Sequence, residues 1–374
     1  MAGIYIHIPF CRQACHYCNF HFSTSQKSRS DIVKAIVKEL ELRQNYLSTK
    51  TLETIYFGGG TPSVLKSDEI SDILTAIDKY FNIESSAEIT LEANPEDLTT
   101  KYLEQLREVG INRLSIGVQS FIDNDLQFMN RSHNATQAKK SIEAAQNIFE
   151  DISIDLIFGG QYSSPVNWTY NLKTAILLDP VHISSYSLTI EDGTTFGNWM
   201  AKNKLQPIKD ETQKEQFLET IESLSQAGYE HYEISNYAKP GQYARHNTNY
   251  WRSKPYLGIG PSAHSFDGHT RQWNVSNNHQ YLKSILNGEP FYTIENLTEQ
   301  DQYNEYILTS LRTMWGCDRN RINSFDPVYQ DHFDHNIRQI ISDKKALSKH
   351  NILYLTQQGK LFADQVAEEL FYIN

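Results

Sequence analysis

Six short β-rich runs, each followed by a helical pattern, constrain this chain more than any other feature. "GIYIHIP" precedes a helix expected over residues 30–46, where Ile32, Ala35, Ile36, Leu40 and Leu42 recur at helical spacing behind a Ser30/Asp31 start. "TLETIYFGGG" precedes one over 67–80, "AEITLEANP" one over 99–109, "RLSIGVQS" one over 135–149, "ISIDLIFGG" one over 166–178, and "HISSYSLTI" one over 211–226. The runs set apolar residues side by side, as in "IYF" and "LIF", rather than in strict alternation, as strands buried on both faces do. Repeated strand–helix units of this kind predict an α/β fold: a parallel sheet with helices outside, curling into a partial (β/α)6 TIM-type barrel over residues 1–228. In such barrels chemistry gathers where strands end. Cys11, Gly58-Gly59-Gly60, Glu92, Gln119 and Asp155 all fall at those ends.

Residues 229–290 are rich in aromatics, Asn, His and Gly without clean periodicity and are expected to cap or connect. From 291 to 374 the pattern predicts a small winged-helix-like α+β domain: a helix in "EQDQYNEYILTSLRT", another over 332–349, and a strand, turn and helix in "NILYLTQQGKLFADQVAEELF". The formal net charge is −11, from 45 acidic and 34 basic residues, a field that repels phosphate backbones and anionic lipid surfaces and argues against a nucleic-acid substrate. No run approaches the roughly 18 apolar residues of a spanning helix. The first strand follows Met1 with no basic, apolar leader, so a cytoplasmic location is expected.

Three of the four cysteines, Cys11, Cys15 and Cys18, stand in a C-x3-C-x2-C spacing on the loop after the first strand. In a reducing compartment such clusters hold metal more often than they form disulfides. A loop of this length can give one thiolate to each of three irons of a cubane cluster, leaving the fourth iron open. An open iron can chelate the amino and carboxylate groups of S-adenosylmethionine (SAM), whose sulfur–carbon bond breaks on one-electron reduction. The alternative is a zinc site completed by His16 or His21, although structural zinc prefers paired C-x2-C knuckles. Cys317, in a helix-to-turn stretch, reads as an inert buried thiol.

The cysteine motif resembles that of the radical SAM superfamily. "YIHIPFC", "YFGGGTPS", "LEANPED", "GVQSF", "IDLIFG" and "GIGPSAHSF" together resemble its oxygen-independent coproporphyrinogen III oxidase-like branch, over nearly the whole chain. The resemblance implies a [4Fe–4S] cluster on Cys11, Cys15 and Cys18, and a SAM pocket built from Tyr5, Tyr17, Gly59, Gly60, Thr61, Glu92, Gln119, Arg131 and Asp155. Within it, Arg131 suits the carboxylate and Asp155 the ribose hydroxyls, while His264 stands where the family uses backbone to hold adenine. One departure is Phe158-Gly159-Gly160-Gln161, where the family usually has Tyr-Gly-Leu-Pro after the fifth strand.

Two readings compete inside the branch. The oxidases decarboxylate coproporphyrinogen III, and they carry a fourth cysteine two places after the third and a long segment before the cluster. Here that place holds Phe20, and ten residues precede Cys11. Heme chaperones of the HemW type carry H-N-x-x-Y-W, which matches "HNTNYW", His246 to Trp251. An exposed loop with His246 beside Tyr250 and Trp251 could ligate heme iron and stack on the macrocycle; His231, His264 and Cys317 are other axial-ligand candidates. The chaperone reading makes heme the cargo and respiratory hemoproteins the recipients. It implies transient membrane association, for which the acidic balance offers no evident basic anchor. Heme-degrading radical SAM methyltransferases are a third reading.

Overall fold

The computed structural model describes residues 2–206 and 208–373. The parallel strands are β1 (Ala2–Ile8), β2 (Thr51–Gly59), β3 (Asn82–Ala93), β4 (Arg113–Gln119), β5 (Asp151–Phe158) and β6 (His182–Ser187). Between and after them run α1 (Arg29–Leu42), α2 (Ser67–Tyr80), α3 (Thr100–Glu108), α4 (Asp123–Phe128), α5 (Ala135–Gln146), α6 (Pro165–Leu178), α7 (Thr195–Ala201) and α8 (Asp210–Gln226). The strands pair in sequence order, β1 with β2 through to β5 with β6, all parallel. Each helix turns one apolar stripe inward: in α1, Ile32, Ala35, Ile36 and Leu40 are buried at the expected spacing. Thr99 and Asn134 cap α3 and α5 by accepting backbone N–H groups of the first turn.

Residues 229–290, expected to cap or connect, add strands to the sheet at both edges. They form β7 (Glu230–Glu233), β8 (Asn236–Ala238), α9 (Arg245–Trp251), β9 (Tyr256–Ile259), β10 (His264–Phe266), β11 (Thr270–Asn274) and α10 (Asn278–Asn287), followed by β12 (Tyr292–Asn296). Strand β8 pairs antiparallel with β6, and β9 pairs parallel with the free side of β1. Among the described residues the sheet therefore has twelve strands, with β1 in its interior rather than at its edge. Runs of three to five residues are too short to display a period in sequence.

The remaining elements are α11 (Glu299–Leu311), β13 (Cys317–Asp318), α12 (Arg319–Ile322), α13 (Pro327–Ser342), β14 (Ala346–Lys349), β15 (Ile352–Leu355), α14 (Gln357–Lys360) and α15 (Ala363–Leu370). They surround a separate apolar core that includes Tyr303, Ile307, Phe333, Leu353 and Val366. The helix expected over 332–349 stops at Ser342, because Lys344 takes a left-handed conformation and the chain turns back into β14. Cys317 lies in a two-residue strand rather than a helix-to-turn stretch, and it is fully buried.

A buried polar network ties α1 to the added strands. The Glu39 carboxylate accepts from Arg43, Gly260 N–H, Asn274 and the Tyr281 hydroxyl. Arg43 also donates to Gly258 O, Ser265 and Gln272. Much of "GIGPSAHSF" is thereby accounted for as packing: a Cβ on Gly258 would strike His264 O at 1.9 Å. Removing one member of a buried charge pair typically costs about 3–5 kcal/mol. Glu39→Ala is expected to lower the unfolding free energy by that amount in urea titrations; a loss under about 1 kcal/mol would show that the network does not hold α1 to the sheet.

Candidate functional site

The loop after β1 is fastened to neighbours that lie far apart in sequence. Phe10 bridges Ser23, and Cys11 N–H donates to Ser23 O. Gln13 donates to Asn130, Asn130 donates back to Ala14 O, and Arg12 pairs with Asp97 at 2.5 Å. His16 is held by Phe128 O through Nδ1 and packs edge-on against Phe196 and Trp199. His21 shares a 2.7 Å hydrogen bond with Asn278 at the start of α10. These contacts fix the directions of the three thiols.

Cys11, Cys15 and Cys18 line a cavity of about 460 Å³ at the carboxyl ends of the parallel strands. Tyr17, Gly59, Gly60, Thr61, Glu92, Gln119, Arg131 and Asp155 line it too, so eight of the nine residues that the family resemblance assigns to SAM meet there. Gly59 has φ +111°, and a Cβ on it would lie 2.7 Å from the His7 ring; a Cβ on Gly60 would lie 2.8 Å from Phe10 O. Only glycine lets β2 run this close under the cysteine loop. Gln119 has φ +68° beside an irregularity in the β4–β5 register, which turns its side chain toward the cavity.

Arg131 is the central cation. Its guanidinium donates to Asn94 and Gly117 O at 2.7 Å each and approaches Cys15 Sγ at 3.4 Å, while its Nε is buried without a partner. Glu92 accepts from the Tyr56 hydroxyl at 2.8 Å and from Gly59 N–H at 3.2 Å, and Asp155 accepts weakly from Ser115. Burial pushes the Glu92 carboxyl up to about 7, with the Asp155 charge adding to the rise, and burial pushes the Asp155 carboxyl up to about 6. Burial likewise raises the Cys11 thiol to about 12 and shifts Cys18 upward. Added positive charge, as iron would supply, favours the thiolate forms of Cys11 and Cys18 against that burial.

The residues fit an iron–sulfur cluster and SAM better than a single ion. Among the described residues no three His, Cys, Asp or Glu side chains converge on a one-metal site. The histidines a zinc site would need are engaged elsewhere, His16 with Phe128 O and His21 with Asn278. The donor set instead combines three thiols, a guanidinium that touches one of them and keeps an unmatched Nε, and two carboxyls in one cavity wall.

Several expected residues lie elsewhere. Tyr5 is not among the residues that line the cavity: it sits in the middle of β1, its ring stacks on Tyr56 and His246 inside the barrel, and its hydroxyl donates to His7 Nδ1. His246 is not on an exposed loop. It is 1% exposed on α9, with Nδ1 bonded to Thr54 and Nε2 to Tyr250, both at 2.8 Å, and burial holds its pKa down to about 3. Neither nitrogen is free for iron. Tyr250 packs edge-on between His246 and Tyr256, and Trp251 borders a different cavity. His231 is held by Ile234 O and Lys360, and Cys317 is enclosed, so neither can serve as an axial ligand in this fold. His264 is exposed and stacks on Trp273, away from the cavity. After β5, Gly159 has φ +78° and its N–H donates to Gln216 of α8, giving the departing loop a fixed course. The sequence reading missed Asn94, Ser115, Tyr186 and Ser187 in the cavity wall; all sit on or just beyond strands, but none carries a charge to draw notice.

Residues 5–165 match the family model described as the radical SAM superfamily. The heme chaperone HemW of Bacillus subtilis is 35% identical over 375 residues, covering 98% of each chain. The chain belongs to the HemW family. A HemW of Synechocystis is 38% identical over 312 residues, 79% of this chain and 75% of its own. The coproporphyrinogen III oxidase HemN of Escherichia coli superposes with a TM-score of 0.85 over 99% of this chain and 90% of that one; at 22% identity it shares the fold alone.

The raised Glu92 pKa gives this HemW-family cavity a measurable signature. Between the ordinary 4.5 and about 7 the folded, metal-free chain keeps a proton that the unfolded chain has released. Glu92 therefore makes stability fall as pH rises through that window. Glu92→Gln removes the exchange, so urea unfolding at about pH 5 and about pH 7.5 should show a smaller decline than in the parent. Equal declines would place the proton on another group.

Proposed function

We propose that the chain is a heme chaperone that carries a [4Fe–4S] cluster on Cys11, Cys15 and Cys18, binds SAM in the same cavity, and hands heme to respiratory hemoproteins. Membership of the HemW family carries the reading, and the cavity supports it. The cluster with its open iron would supply one-electron reducing chemistry toward SAM. The chain's own part is positional. Arg131 offers its unmatched Nε to a carboxylate and keeps a positive charge beside Cys15. Gly59 and Gly60 bring backbone close to an amino group, and Asp155 offers a carboxyl to the ribose hydroxyls. Tyr17 closes one wall with its ring.

Phe20 separates this reading from the oxidase. It stands where the oxidases have their additional cysteine, it lines the cavity, and 67% of its surface is exposed. A phenyl ring offers neither the redox nor the acid–base chemistry of a thiol. Radical chemistry on a propionate demands placement within about an ångström, for which this wall lacks the part.

Anaerobic reconstitution should give about four irons and four sulfides per chain, with Cys11→Ala, Cys15→Ala or Cys18→Ala each losing most of them and Cys317→Ser losing none. One zinc per chain without sulfide would end the cluster assignment. Asp155→Asn should keep its iron while SAM affinity falls by roughly 5- to 150-fold, the weight of about 1–3 kcal/mol for an impaired buried hydrogen bond. Loss of iron in that variant would make Asp155 a structural residue. Incubated with coproporphyrinogen III, SAM and a reductant, the loaded protein should form no protoporphyrinogen IX; many turnovers would make it an oxidase.

A further inference from the structure

The family-marking motif ends not in the thiol cavity but at the other end of the barrel. Helix α9 starts where its Arg245 and His246 N–H groups donate to Glu88, opposite Thr54 near the beginning of β2, and Gly3 at the start of β1 bonds Pro255 O just after it. There, Trp251 and Arg252 border a cavity of about 520 Å³ that is also lined by Gly268 and His269 of the β10–β11 turn, Tyr306 of α11, and Trp315.

Its charges are unusual for so acidic a chain. Arg252 lies over the Trp315 ring at 4.3 Å, and Arg321 lies over Phe325 at 4.8 Å. Among the described residues neither has a carboxylate partner within salt-bridge distance. The lone acidic residue of the lining, Glu305, is neutralised by Arg271 at 2.6 Å. Trp251 Nε1 is buried without a hydrogen-bond partner. His269 is exposed on the rim, next to Gly268 at φ +101°, and its ring makes no hydrogen bond among the described residues. By contrast, the cavity of about 620 Å³ beside α8 and α14 balances Lys214, Arg312 and Lys360 against Asp210, Glu211 and Asp364.

We infer that the Trp251–Trp315 groove binds heme, an inference that rests on the chaperone reading and supplies its site. Two indoles, each with a guanidinium over its ring, Arg312 on Trp251 and Arg252 on Trp315, give the groove an aromatic lining suited to a flat macrocycle once Arg252 swings from Trp315 to a propionate. Arg252 and Arg321, which lack carboxylates, match the two propionates, and His269 presents the accessible imidazole for the iron. The H-N-x-x-Y-W motif then contributes its tryptophan to the cargo and its histidine to the barrel interior. The groove and the thiol cavity occupy opposite ends of the strands, so heme and SAM bind to separate surfaces.

The test titrates the full-length, cluster-loaded protein with hemin and with iron-free protoporphyrin IX, following Soret absorbance and tryptophan fluorescence. The double variant R252Q/R321Q, altered at exposed side chains, should bind both ligands roughly tenfold to a hundredfold more weakly while keeping its iron and its SAM affinity. Trp315→Phe should weaken both as well. His269→Ala should shift the hemin Soret and ligand-field bands and leave protoporphyrin IX affinity unchanged. Parental affinity for both ligands in R252Q/R321Q would overturn the groove while leaving the chaperone reading intact. Failure of the parent protein to take up any hemin would overturn the chaperone reading itself.

Discussion

A guanidinium sealed inside the barrel organises much of what surrounds it. Arg113, at the start of β4, is 2% exposed, with Nε 3.2 Å from Asp151. Burial opposes its charge, and Glu88 with Asp151 outweigh that opposition. Glu88 is thereby held in place to receive the first N–H groups of α9, a short helix with no side-chain cap of its own. The same positive charge, added to burial, keeps His182 and His246 neutral. Neutral imidazoles can accept at one nitrogen and donate at the other, which is how His182 joins Ser153 to Tyr232 and His246 joins Thr54 to Tyr250. Around Arg113 the barrel interior is thus a lattice of hydrogen-bonded polar side chains rather than an apolar plug.

That lattice connects the two ends of the sheet. His246 stacks on Tyr56 at 5.0 Å, Tyr56 donates to Glu92, and Glu92 receives Gly59 N–H in the wall of the thiol cavity. Trp251 stands five residues beyond His246 on the same helix. A change at His246 therefore disturbs Thr54, Tyr56 and Tyr250 together, and loss of heme on its substitution would report on packing as readily as on ligation.

How far the sequence was readable follows from length and direction. The strands β2 to β5 have seven or more residues and their helices carry wide apolar stripes, so order and partial barrel were visible. Strand-end residues such as Glu92, Gln119 and Asp155 met in one cavity because parallel strands deliver their ends to one rim. Tyr5 and His246 were misplaced because a sequence match names a position and not where its side chain points. Strands β7 to β11 were hidden by brevity, and so was the groove at Trp251, whose walls come from residues 251, 266, 306 and 315, spread over separate elements.

The interior position of β1 also orders events during synthesis. Strand β1 has β2 on one side, and on the other β9, which emerges some two hundred and fifty residues after it. The cysteine loop between β1 and α1 gains its fastenings in turn: Ser23 on Cys11, Asp97 on Arg12, Asn130 on Gln13, Phe196 N–H on His16 O, and finally Asn278 on His21. Contacts so distant in sequence close slowly. Until the last of them closes, the loop that carries the three thiols lacks part of its anchorage, and its final geometry belongs to the complete fold.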